Sequence, residues 1–302
     1  MLSCFKRVAA LIGCCVLAST SAFASRELND ELGRRVTLPD EPKRVVCLAP
    51  SLTETVYALG LGEVVVGVTD FTDYPPEAQK KPSVGGLTDA SLEKIVSLHP
   101  DLVLAIKELN QKETVEELER LGVPVYVVDP QGLRGIMASI QHVGDALNRT
   151  LDASRLLKRL EERRAAVADR VERRPRPKVF VVIWYDPVIT AGSRSFITDL
   201  IGAAGGQSAT ADIDQAWPQI SLEEVLRRSP DFVLLVQGIH GGILLDDLKL
   251  RAGWDQLEAV RNRRVIYMGE RLFRPSPVAF GALEQLAKEL HPEAFQPGGD
   301  NR

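Results

Sequence analysis

Two short acidic motifs in this chain could do chemistry because they occur twice. Ser91-Leu92-Glu93-Lys94-Ile95-Val96-Ser97-Leu98-His99-Pro100-Asp101-Leu102-Val103-Leu104 aligns without gaps on Ser221-Leu222-Glu223-Glu224-Val225-Leu226-Arg227-Arg228-Ser229-Pro230-Asp231-Phe232-Val233-Leu234. Each copy reads as a Ser-capped helix, a proline stop and an apolar strand. A glutamate in the first helical turn is favoured by the helix dipole by about 0.3–1 kcal/mol, which explains either one alone. Its recurrence in both halves adds a second meaning. Glu93 and Glu223, on the same edge of two related lobes, match a two-fold pair of basic sites on a partner.

The other candidates follow predicted strands, where open α/β sheets bind ligands. They are Pro50, Ser51, Phe71, Tyr74, Trp184, Tyr185, Trp217, His240 and Arg274. Phe71 and Trp217 suit broad apolar walls, whose burial yields roughly 25 cal/mol per Å2; Ser51 and Arg274 suit the few polar anchors. Trp217 sits in a polar stretch, Asp212 to Pro218, and not in a buried run. Core packing competes as an explanation for Trp184 and Tyr185. His240 lies in the loop Gln237-Gly238-Ile239-His240-Gly241-Gly242, where contact with a ligand or its metal competes with the commoner reading, a solvated loop histidine. His99, His142 and His291 stand apart with no metal-ligand spacing. There is no Gly-x-Ser-x-Gly elbow, Walker loop or His-Glu-x-x-His helix. Gly202-Ala203-Ala204-Gly205-Gly206 follows a helical pattern and reads as a helix stop.

Alternating strands and helices must position these residues. Arg44 to Leu48, Val64 to Val68, Asp101 to Ala105 and Val123 to Val128 read as strands of one series. Ser51-Leu52-Thr53-Glu54 has capping-box spacing, with Glu54 reaching back to the cap, and that helix should stop near Gly60. Pro75-Pro76 reads as the start of another helix, and a charged helix is expected around Thr114 to Arg120. A second series resumes with strands Lys178 to Ile183, Asp231 to Val236 and Arg264 to Tyr267, and helices Phe196 to Ala204 and Pro277 to Leu290. Between the two series, Leu156, Leu160, Val167 and Val171 recur at helical spacing without Gly or Pro. This segment predicts a helix of about 24 residues, roughly 36 Å long, joining two lobes. The repeat and the alternation together predict an α/β fold: two Rossmann-like lobes with mostly parallel sheets.

Length and composition agree with that plan. The chain of 302 residues exceeds a typical single domain, and 45% hydrophobic with 26% charged residues is ordinary for a globular protein. Lys6-Arg7, the apolar run Val8 to Ala18 and Ala22-Phe23-Ala24 read as a signal peptide over residues 1–24. A lipobox at Leu11 to Cys14 is the weaker reading, because an apolar stretch would follow the anchor. The expected division is then a segment 25–42, a lobe 43–149, the helix 150–174, a lobe 175–293 and a tail 294–302. Losing Lys6 and Arg7 moves the net charge from −4 to −6, which disfavours nucleic acid or anionic lipid as a partner. Cys4, Cys14 and Cys15 leave with the signal, so Cys47 alone remains and reads as a buried, inert thiol.

With these motifs in hand, the chain resembles the helical-backbone class of periplasmic substrate-binding proteins. These serve ABC importers of cobalamin, ferric siderophores and haem. The likeness runs from Arg44 to about Pro292 and includes Leu48-Ala49-Pro50-Ser51-Leu52-Thr53-Glu54 and the single inter-lobe helix. Cobalamin-binding members are the most similar. Gly67 to Ala78 resembles their cleft loop, with Phe71 lining the corrin site; Trp217-Pro218-Gln219-Ile220-Ser221 resembles another loop, with Trp217 on the ligand. Arg274-Pro275-Ser276-Pro277 is similar to the late loop whose arginine faces the cleft. Leu87 and Ile106 depart from the pattern, standing where the cobalamin binders place tryptophans, so the aromatic cage is thinner. The resemblance implies a periplasmic, monomeric binding protein without a cofactor of its own, whose cargo is a corrinoid or another metal chelate. It also implies that Glu93 and Glu223 dock on arginines of the importer's transmembrane subunits, that a ligand cleft lies between the lobes, and that lobe closure is modest. Ferric siderophore or haem is the alternative cargo. An exported chelatase-like tetrapyrrole enzyme is the rival class, and would want a histidine or carboxylate cluster in the cleft.

Overall fold

A computed structural model describes residues 24–238 and 244–296. The expected signal segment through residue 23, and His240, lie outside the described residues.

The chain opens with an antiparallel hairpin, β1 (Ser25–Asn29) and β2 (Arg35–Pro39). The first lobe then runs β3 (Val45–Cys47), α1 (Pro50–Ala58), β4 (Val65–Gly67), α2 (Leu92–Ser97), β5 (Leu102–Ile106), α3 (Lys112–Arg120), β6 (Val125–Val128) and α4 (Gly132–Ala146). The long helix α5 (Thr150–Val171) crosses to the second lobe. There follow β7 (Lys178–Val182), the short hairpin β8 (Trp184–Tyr185) and β9 (Val188–Ile189), α6 (Phe196–Ala203), β10 (Gln207–Ser208) and α7 (Leu222–Arg228). β11 (Phe232–Gln237), α8 (Leu245–Lys249), α9 (Glu258–Arg261), β12 (Val265–Gly269) and α10 (Ala279–Leu290) complete it.

The two main sheets are parallel throughout and share one topology. Their orders are β4-β3-β5-β6 and β10-β7-β11-β12, so each lobe places its second strand outside its first. Parallel strands are covered on both faces, and their residues alternate between two clusters. Val45, Cys47, Leu104, Tyr126, Val181 and Leu234 face a core that continues from lobe to lobe past α5. Val46, Val103 and Val125 fill an outer cluster of the first lobe; Phe180, Val233 and Leu235 fill that of the second. On α5, Ala153, Leu156, Leu160, Val167 and Val171 are buried against this shared core. Its 22 residues give a rod of roughly 33 Å.

Three local expectations change. The Ser51–Glu54 capping box does not form. Pro50, whose missing N–H suits a first helical turn, starts α1 directly after Ala49, so Ser51 lies inside the helix and Glu54 is free to point elsewhere. Pro75-Pro76 begins no α-helix; the segment tightens only into a 3-10 turn at Ala78–Lys80. Hairpin β1–β2 and helix α4 are additional elements. The hairpin is tied down by Arg26, whose guanidinium donates to the Ala146 carbonyl (2.6 Å) at the end of α4, and by Tyr126 Oη on the Asn29 carbonyl (3.0 Å).

Candidate functional site

Because α2 and α7 run antiparallel to the strands they precede, their N-termini lie at the carboxyl ends of the sheets, the edge where such folds bind ligands. Ser91 Oγ accepts the amide of Lys94 (3.3 Å) and Ser221 Oγ accepts that of Glu224 (3.2 Å). Each helix therefore starts where the repeat predicts, with Glu93 and Glu223 exposed in its first turn. Glu223's own backbone amide, followed by the Ser221 hydroxyl, holds its carboxyl below the usual range.

Between the lobes lies a cavity of about 160 Å3. Its apolar wall comes from Ile106 and Leu109 in the first lobe and Phe196, Trp217, Phe273 and Pro275 in the second. Glu108, Asp129 and Arg194 give it a polar rim. Two of these rim groups are paired: Lys107 Nζ lies 2.7 Å from Asp129, and Arg194 holds Asp214 with two contacts of 2.8 and 2.7 Å. Trp217 keeps 49% of its surface exposed, and Phe71, in the loop after β4, 57%. Both are large apolar groups displayed to solvent, as a ligand wall requires.

The predicted contact residues do not all meet there. Trp217 lines the inter-lobe cavity. Tyr74 instead lines a second one, of about 490 Å3, with Tyr57, Arg163 and Pro277, and the Arg271 guanidinium sits 4.5 Å over its ring. Tyr185 belongs to a third, of about 480 Å3, stacked on Trp184 at 5.3 Å and covered by Arg251 at 3.7 Å. Pro50 and Ser51 are buried in the first turn of α1. Arg274 is mostly buried, and its Nη1 bridges two carboxylates of the other lobe, Glu54 (3.2 Å) and Asp73.

Glu54 is the residue that sequence reading misplaced. Its side chain is 1% exposed and accepts from Ser276 Oγ and Arg274 Nη1. Burial lifts its carboxyl above the usual carboxylate range, against the pull of Ser276 and Arg274. Burial also works against the Arg274 charge, but Asp73 and Glu54 together hold it above its ordinary value. Asn110 is a further unpredicted support: its amide donates to the Leu48 and Leu87 carbonyls (2.9 Å each) and its oxygen accepts from the Ile106 amide (2.7 Å), tying three cleft loops together. A lone asparagine carries no sequence signal for such a role.

Among the described residues, no group of three or more His, Cys, Asp or Glu is placed to hold a metal ion. Cys47 is buried, which pushes its thiol up to about 12. No helix among the described residues is long and apolar enough to cross a membrane.

Two parallel-sheet lobes turned toward a common cleft, one joining helix and a mirrored pair of exposed carboxylates define a two-lobed ligand-capturing protein. The chain belongs to the periplasmic binding protein family, whose sequence profile matches residues 45–272. It is 30% identical over 277 residues to the uncharacterized ABC transporter substrate-binding lipoprotein YvrC of Bacillus subtilis, covering 89% of this chain and 86% of that protein. It is 29% identical over 263 residues to the vitamin B12-binding protein of Pectobacterium carotovorum, covering 86% and 92%. The apo periplasmic heme-binding protein RhuT of Roseiflexus sp. RS-1 superposes with a TM-score of 0.75 at 30% identity, covering 83% of this chain and 99% of that one. These relatives are substrate-binding proteins, and they lend no support to the chelatase reading.

Proposed function

We propose that this protein is exported to the periplasm, captures a corrinoid on the inter-lobe cleft and hands it to an ABC import permease through Glu93 and Glu223. The observation that carries the ligand reading is Trp217, half exposed at an apolar cavity with a charged rim. A corrin exceeds about 160 Å3, since drug-sized ligands already occupy about 300–1,000 Å3. It therefore lies across the cleft mouth on Trp217 and Phe71, with rim groups such as Glu108, Asp129 and Arg194 meeting its peripheral amides. The likeness to vitamin B12-binding proteins supports this cargo. The likeness to a heme-binding protein makes haem the second reading.

Delivery rests on symmetry. Two exposed glutamates at equivalent helix starts suit two equivalent basic sites on a two-fold permease. Titration calorimetry of the purified protein with cyanocobalamin, haemin and ferrichrome tests the cargo. Saturable heat with cyanocobalamin is expected; saturation by haemin or ferrichrome without cyanocobalamin binding would overturn the corrinoid reading.

A further inference from the structure

Glu54 is a buried carboxylate in the middle of a helix, a position that is costly unless its charge is well partnered. Its neighbours on α1 satisfy themselves locally: Thr53 Oγ1 donates to the Ala49 carbonyl (3.4 Å) and Thr55 Oγ1 to that of Ser51 (2.8 Å). Glu54 instead takes both its partners from the other lobe, Ser276 and Arg274. Ser276 is fully buried, and its hydroxyl oxygen also accepts the Val278 amide (3.2 Å) at the approach to α10. That helix is in turn clamped to α5 by two contacts from Arg163 to Glu284, 2.6 and 3.0 Å long. The carboxylate thus joins α1 of the first lobe to the element of the second lobe that is best anchored on the connecting helix. A second contact, the Leu133 amide on the Asp199 carboxylate (3.2 Å), ties α4 to α6 beside the cleft. There Gly132 leaves the carboxylate room, because an added Cβ would fall 2.4 Å from it.

We infer that Glu54 is a positioning residue that sets the angle between the lobes, and with it the width of the cleft and the spacing of Glu93 and Glu223. One helix joining two lobes leaves rotation about its ends; a buried, charge-assisted contact away from that helix removes it. This role concerns lobe geometry and holds whatever the cargo.

The test needs neither ligand nor importer, so its outcome is separate from that of the corrinoid reading. In the full chain with Cys4, Cys14 and Cys15 replaced by serine, spin labels are attached at Glu93→Cys and Glu223→Cys. Cys47 stays unlabelled because it is buried with its thiol raised to about 12. Pulsed dipolar spectroscopy then reads the inter-lobe distance. We expect Glu54→Ala and Ser276→Ala each to shift or broaden the distribution by about 2 Å or more, the scale of element shifts at packed interfaces. Glu54→Gln, which keeps an oxygen for the Ser276 hydroxyl, should restore most of the parent's narrow spread. A side chain that only fills the core would leave the distance alone, so unchanged distributions in Glu54→Ala and Ser276→Ala overturn the inference. Should Glu54→Ala not fold, the small Ser276→Ala change decides alone.

Discussion

The two lobes repeat one plan down to the backbone. Both use the strand order second-first-third-fourth, and both precede the third strand with a Ser-capped helix. Beyond each helix a non-glycine residue turns left-handed at the same repeat position, His99 at φ 46° and Ser229 at φ 45°. Asp101 then accepts the amides of Lys43 and Arg44 at the start of β3, as Asp231 accepts that of Lys178 at the start of β7. The lobes differ around their exposed aromatic residues. Trp217 is carried on a segment stitched to β9 and the residue after it, with Thr190 donating to the Pro218 carbonyl (3.1 Å) and Ile220 to that of Val188 (3.0 Å). Phe71 sits on a loop tied to its own lobe by Asp70 on the Gly85 carbonyl (2.9 Å) and Thr72 on that of Thr69 (3.0 Å), and to the other lobe by Asp73 on Arg274. Equivalent glutamates thus stand at the two helix starts, while Trp217 and Phe71 stand on unlike segments. A two-fold partner rewards equivalence; a ligand without two-fold symmetry does not.

The largest expected effect is at the two acidic helix starts. Glu93→Ala with Glu223→Ala should spare ligand binding yet lower uptake by roughly 1,000-fold, at about 2 kcal/mol of importer association for each of the two lost charge-assisted contacts. Transport assays with a matched calorimetric titration check it, and unaltered uptake would remove the docking role. Next comes the unequal wall. Trp217→Ala should weaken cyanocobalamin binding by about 10–100-fold, because roughly 2 kcal/mol of apolar burial is lost, and Phe71→Ala should cost less. A larger loss at Phe71 would reverse the asymmetry.

The caps offer a smaller contrast. Ser91→Ala and Ser221→Ala each remove one amide acceptor and should cost about 1 kcal/mol in denaturant melts. The second loss should be the smaller, since Glu224 braces its helix through Arg228 (2.7 Å) and Arg227, whereas Lys94 stands at the matching place in the first lobe. Equal costs would show that the ion network adds nothing.

The smallest effect lies between the lobes. Glu54 has its folded pKa raised above the ordinary 4.5, chiefly by burial, with Asp73 adding to the rise and Ser276 and Arg274 opposing it. Between those two values the folded state binds the extra proton. Its contribution is therefore present below 4.5 and is lost as pH rises through the folded value. Glu54→Gln should flatten that part of the stability–pH curve, and parallel curves for parent and variant would contradict the assignment.

Much of the architecture was legible because its signals are local. Serine before a short amphipathic run, Gly60 at a positive φ of 78° after α1, and continuous Val/Leu strands each act within a few residues. The gap-free repeat then implied two lobes. Helix α4 had a readable signature in Leu133, Ile136, Ile140 and Val143 at helical spacing, whereas hairpin β1–β2 offers only two buried apolar residues, Val36 and Leu38, too few to fix a period. The candidate site was less legible. Tyr74 and Tyr185 are aromatic residues beyond strand ends, as Trp217 is, but they pack under Arg271 and Arg251 in other cavities. Spacing along the chain does not encode which wall a loop turns toward.

The acidic helix starts show what the sequence by itself determined. Capping is a contact over three residues, so Ser91 with Glu93 and Ser221 with Glu223 specify it without help from the rest of the fold. Ser51 and Glu54 carry a similar local code, and there tertiary structure overruled it. Pro50 moved the helix start, and Glu54 found Ser276, 222 positions away, across the lobe junction. A buried charge takes the partner that relieves its desolvation best, and only the packed lobes decide which group stands within reach.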